Sequence, residues 1–184
     1  MDPFEYLARE HEKLGEMLGV VEILADAAEA GTDLHRQDLD AVIDYFREFG
    51  DLSHHDKEET ILVPALIEAQ LSWYDGPLAE LRREHRQERY LLRSLRHLVQ
   101  QKKDWTKDDR AHFVNLAREF VAFLRDHIDR ENTLLFPLAK QKLPAEKQAQ
   151  LVVEFQKLDR ELGAPDHTTI GERARAVAQK YAKG

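Results

Sequence analysis

The 184-residue sequence contains no cysteine. Disulfides, iron–sulfur clusters and thiolate zinc sites are thereby excluded, so any metal would have to be held by histidine, carboxylate or water. There is little basic excess: the formal net charge is −8, which argues against the electrostatic footprint of a nucleic-acid-binding surface. No apolar run approaches the roughly 20 residues of a membrane span. The first residues, MDPFEYLAREHE, lack the basic-then-apolar pattern of a secretion signal. These features give the expectation of a cytoplasmic protein with no membrane and no nucleic-acid partner.

What is present suits helices with charged outer faces: 42% apolar and 34% charged residues. Asp2 can cap a first helix, with Pro3 at its first position and Glu5 completing a capping box. Leu7, His11, Leu14, Leu18 and Val21 recur at helical spacing, and Gly31 ends the run. A second helix is expected over about 34–71. The turn SWYDGP leads into a third, with Leu78, Leu81, His85, Leu92 and Leu95 on one face. TKDD at 106–109 starts a fourth, running to about Lys140. Short connections between long helices predict an all-α, up-down-up-down four-helix bundle over residues 1–140. Residues 141–184 form a helical appendix of one or two helices, able to cap the bundle, mediate a homodimer or dock a partner.

The chain repeats itself. HHDKEETILVP (54–64) and HIDRENTLLFP (127–137) agree at six of eleven positions with an offset of 73, and LAREH (7–11) matches LRREH (81–85) at an offset of 74. Common to both halves is H-x-x-x-E: His54 with Glu58, and His127 with Glu131. Residues i and i+4 share a helix face, so each helix offers one imidazole and one carboxylate to one place. His11 and His85 add an imidazole from each of the other helices. Burying four imidazoles and two carboxylates is costly without compensation, and a metal centre supplies it. The set exceeds one tetrahedral site. It suits two metals with two histidines each, bridged by Glu58 and Glu131 and by an oxo or hydroxo group. Iron is favoured, with manganese and zinc as alternatives, since affinity order alone does not choose.

The order His…His-x-x-x-Glu…His…His-x-x-x-Glu, with LVP and LFP after the glutamates, resembles the hemerythrin-like HHE cation-binding family over about residues 5–140. The resemblance implies a four-helix bundle around a non-heme di-iron site with ligands His11, His54, Glu58, His85, His127 and Glu131. Oxygen-carrying hemerythrins have a further histidine one turn after the third-helix ligand; here that position is Arg89, beside Glu88. A fifth histidine ligand is therefore not expected. The pattern is closer to the four-histidine branch, which includes bacterial proteins linked to iron–sulfur cluster repair under nitric oxide stress and iron-sensing HHE domains. The repair proteins usually carry a cysteine-containing N-terminal segment, which this sequence does not have.

The implied function is binding or sensing of O2 or NO in oxidative or nitrosative stress or iron homeostasis. The alternatives are a di-iron enzyme acting on peroxide or NO, and an iron-handling or repair module. Helix direction places Gly15, Gly50, Arg89 and Phe123 one turn from the histidines, as a small-ligand pocket. His55 and Glu59, which face Ile128 and Asn132 in the repeat, are expected on the flank of helix two. His97 and His112 are expected at packing or surface positions, and His35 and His167 near helix ends. Pro64 and Pro137 are expected to mark matched kinks.

Overall fold

A computed structural model describes residues 1–101, 104–163 and 169–181. Among these there are helices and no strands. The first bundle helix is α1 (Pro3–Glu29), capped by the Asp2 side chain on the backbone N–H groups of Phe4 and Glu5. The second is a continuous composite: α2 (Arg36–Tyr45), two π-helical stretches (Phe46–His55 and Lys57–Leu62) and α3 (Val63–Glu68). The third is α4 (Gly76–Gln101). The fourth begins with α5 (Lys107–Arg130), behind a Thr106–Asp109 capping box, and continues through a π-helical stretch (Glu131–Leu135) into α6 (Phe136–Lys142). The appendix is α7 (Ala145–Leu162), closed by Gly163 at φ 73°, and α8 (Thr169–Tyr181). His167 lies outside the described residues. No described helix is long and apolar enough to cross a membrane.

The prolines do more than kink. Proline has no N–H, so the carbonyl four residues earlier loses its ordinary partner. Here the residue before each proline bonds one step further back: Val63 N–H to the Glu58 carbonyl and Phe136 N–H to the Glu131 carbonyl. In each half the repeat glutamate's carbonyl thus accepts an i→i+5 bond, although the second helix is already π-helical from Phe46. Thr60 and Thr133 add matching hydroxyl bonds to the Asp56 and Asp129 carbonyls, each at 2.6 Å.

The apolar core comes in two blocks. One holds Leu14 to Ala28 of α1 with Phe46, Leu91, Phe120 and Leu124, and α8 joins it through Ala174, Val177 and Tyr181. The other holds Phe4, Leu7, Leu62, Leu81, Leu135 and Phe136, and α7 joins it through Leu151 and Phe155. The two appendix helices therefore pack on opposite blocks. In helix register the buried polar residues fall between the blocks, on all four bundle helices.

Candidate metal centre

The polar layer consists of Glu10 and His11 from α1, Ser53, His54, His55, Lys57 and Glu58 from the π-helical part of the second helix, Glu84, His85 and Glu88 from α4, and His127 with Glu131 from the fourth. All six residues singled out by the repeat are in it, none more than 3% exposed. His11, His54, Glu58 and Glu131 bring ligand atoms within 4.8 Å of one another, and so do His55, Glu58, His85 and His127. Glu58 belongs to both groups. Its Oε1 lies 3.7 Å from His54 Nε2 and its Oε2 3.3 Å from His85 Nε2. Glu131 divides in the same way, with Oε2 2.9 Å from His11 Nε2 and Oε1 3.4 Å from His127 Nε2.

His55 is a correction. It is not on the flank: it is 1% exposed, stacks on His85 with ring centroids 3.9 Å apart, and makes a fifth imidazole in the layer. At α-helical spacing of about 100° per residue neighbours fall on different faces, hence the flank expected for His55. An i→i+5 register turns less per residue, so adjacent His54 and His55 both reach inward. The distribution is therefore three imidazoles with Glu58 on one side and two with both glutamates on the other, not two and two. Glu59 is half-buried rather than merely flanking, and bonds His85.

Each of the four histidines taken from the repeat is held from behind. The Nδ1–H groups of His54 and His127 donate to Glu10 and Glu84 at 2.9 and 2.8 Å. Those of His85 and His11 donate to Glu59 and Asn132 at 2.7 and 2.9 Å. Such partners fix the tautomer and aim Nε2. The remaining oxygens of Glu10 and Glu84 take a cation each: Lys57 Nζ at 2.8 Å and an Arg130 guanidinium nitrogen at 2.7 Å. Glu10/Glu84, Lys57/Arg130 and Glu59/Asn132 all correspond in the repeat. The first pair sits inside the matching LAREH and LRREH stretches, so the signal was visible, although nothing in it distinguished a supporting carboxylate from a surface one.

The electrostatics are those of a site built for charge. Burial drives His54 well below the ordinary imidazole range. For Glu131, burial pushes upward, but His127, His11 and His85 outweigh it and hold the carboxyl well below its usual value. Burial opposes protonation of His85, yet Glu131, Glu58 and Glu59 raise it well above normal. His55 behaves similarly, lifted against burial to about 9 mainly by Glu88, whose Oε2 is 3.1 Å away. Burial raises Glu10 to about 7 despite Lys57.

Whether a metal fits is decided by the atoms left over. Nε2 of His11, His54, His55, His85 and His127, and both carboxylate oxygens of Glu58 and Glu131, are buried with no aligned hydrogen bond, although some lie close together, as His11 Nε2 and Glu131 Oε2 do at 2.9 Å. Buried polar groups are nearly always satisfied. Imidazole nitrogen and carboxylate oxygen together are a donor set for a first-row transition metal, so the residues fit one.

The expected pocket at Gly15, Gly50, Arg89 and Phe123 does not form as read. A Cβ on Gly50 would meet Leu14 at 3.5 Å, ordinary packing. Arg89 is engaged by Asp51 and Glu59 at 2.6 and 2.9 Å. His97 and His112 are exposed. Trp105 packs on Phe113, and Trp73 carries Arg82 over its ring.

A family model described as the hemerythrin HHE cation-binding domain matches residues 2–139. Searches of curated proteins and of solved structures give no match.

Proposed function

The chain belongs to the hemerythrin HHE cation-binding family, and from that premise we propose that its buried layer holds two iron ions and binds a small ligand such as O2 or NO. One ion would be held by His11 and His54 and the other by His55, His85 and His127, with Glu58 and Glu131 shared between them. Iron in such a set, with a coordination position left open, supplies reversible binding or redox chemistry toward diatomic ligands.

The observation that carries this reading is the set of nine buried donor atoms with no aligned hydrogen bond, on five imidazoles and two carboxylates. The work of the protein's own residues is positional. Glu10, Glu84, Glu59 and Asn132 hold the imidazoles in the Nδ1–H tautomer, so that the Nε2 lone pairs face the layer. Glu58 and Glu131 divide their oxygens between the two histidine groups. The apolar blocks on either side keep bulk water from competing.

The test is titration of the iron-loaded, reduced protein with NO and with O2, followed by optical and EPR spectra. Saturable, reversible spectral changes are expected. Sustained turnover of NO or peroxide would move the reading to the enzyme alternative. An inert iron centre would refute small-ligand binding.

A further inference from the structure

The internal repeat can be followed outward from the candidate ligands. Pro3, Tyr6 and Glu10 correspond to Pro77, Glu80 and Glu84; Lys57, Glu58 and Ile61 correspond to Arg130, Glu131 and Leu134. Around the second set lies a cavity of about 270 Å³, whose walls include Pro77, Leu81, Glu84, Arg130, Glu131 and Leu134. Its rim is bare: Leu134 is 63% exposed. Its buried wall includes Glu131, 2% exposed and with neither carboxylate oxygen in an aligned hydrogen bond. The cavity thus leads from the surface to Glu131 at the edge of the polar layer, whose carboxylate oxygens are themselves closed off from solvent.

Around the first set the same place is filled. Helix α7 lies over it. Phe155 is fully buried with its ring 5.8 Å from that of Tyr6, and Ile61 packs into the same cluster. Asp159 accepts from the Tyr6 hydroxyl and lies 2.6 Å from Lys57 Nζ. Lys57 is consequently inaccessible, whereas its counterpart Arg130 has a side chain 40% exposed. Helix α7 lies beyond the residues matched by the family model.

We propose that the cavity beside Glu84, Arg130 and Leu134 is the port through which a small uncharged ligand reaches the layer, and that α7 is a plug closing the equivalent mouth of the other half. The port rests on the reading that the layer takes a diatomic ligand. The cavity's chemistry selects for neutral molecules. Pro77, Leu81, Leu134 and Leu135 give apolar walls, and the charges beside them are matched, Glu80 by Arg83 and Glu84 by Arg130 at 2.7 Å, which leaves no unpaired charge to draw in an ion. Size is not the filter, since a cavity of about 150 Å³ already admits benzene.

Leu134→Trp tests the port, because the side chain is on the surface and the fold does not depend on it. NO association is followed by stopped flow on iron-loaded full-length protein, alongside xenon-pressurised crystals of wild type and variant. The port predicts xenon in the cavity of the wild type and its displacement in the variant. It also predicts slowing of NO association by roughly tenfold, the effect of an added barrier near 1.4 kcal/mol. Gly15→Leu, at a half-exposed position with nothing within 4 Å of its Cβ, should change neither. Unchanged NO association in Leu134→Trp, or xenon seated only elsewhere, would overturn the port. If wild type does not react with NO at all, the functional reading fails, and xenon alone decides whether the port exists.

Discussion

Glu10 and Glu84 are counterparts across the internal repeat, and each accepts the Nδ1–H of a layer histidine with one oxygen while binding a cation with the other. The duplication therefore extends beyond the six candidate ligands to the groups that aim them.

Replacing either carboxylate should weaken metal binding without unfolding the bundle. Outer partners of this kind are typically worth about 10–100-fold in affinity. Glu84→Ala is the cleaner test, because Glu10→Ala also strands the buried Lys57, which retains only Ser53 and Asp159. Competition with a chromophoric chelator measures the effect. An affinity equal to wild type in Glu84→Ala would remove the orienting role.

His55 should distinguish the two halves. His55→Ile copies the residue at the corresponding position, Ile128, and should preserve packing while removing one imidazole from the three-histidine group. Stepwise chelation should then release one ion distinctly earlier than the other. Two ions held as tightly as in wild type would show that His55 pairs with Glu88 instead of a metal.

Metal uptake should release protons and strengthen as pH rises. His55, lifted to about 9, and His85, raised well above normal, carry protons at neutral pH in the metal-free protein, and a ligating imidazole must be neutral. The same raised values make the protonated pair stabilise the metal-free fold below the unfolded imidazole value near 6.5. That contribution fades as pH climbs through about 9. Calorimetry in buffers of different ionisation enthalpy measures the protons released. Uptake independent of both buffer and pH would contradict the protonated cluster.

Pro64→Ala and Pro137→Ala should trade affinity for stability. Restoring an N–H allows an ordinary helical bond, worth about 1 kcal/mol to the metal-free fold. It also removes the constraint behind the i→i+5 bonds that the Glu58 and Glu131 carbonyls accept. Denaturation midpoints should rise while metal affinity falls; a fall in both would show that the prolines are needed for folding itself.

The fold was legible because its signals are local and periodic: the Asp2 and Thr106 caps, the apolar spacing and the repeat with its matched prolines. The four histidines and two glutamates followed from the same repeat. His55 escaped because it breaks the repeat and because its inward orientation depends on a π register that sequence spacing does not encode. Glu59 and Asn132 escaped for a related reason: they differ from each other, yet each serves the histidine donated by the opposite half. The expected Gly15–Gly50 pocket failed because glycine spacing says nothing about neighbouring side chains, and Leu14 packs against Gly50.

The central claim is that the layer holds two metal ions. Elemental analysis of untagged protein from iron-replete cells, repeated after anaerobic iron loading, tests it most directly. About two irons per chain is the predicted result, with Glu58→Ala and Glu131→Ala both below it. Protein that stays metal-free after loading, or retains two ions in both variants, would contradict the account.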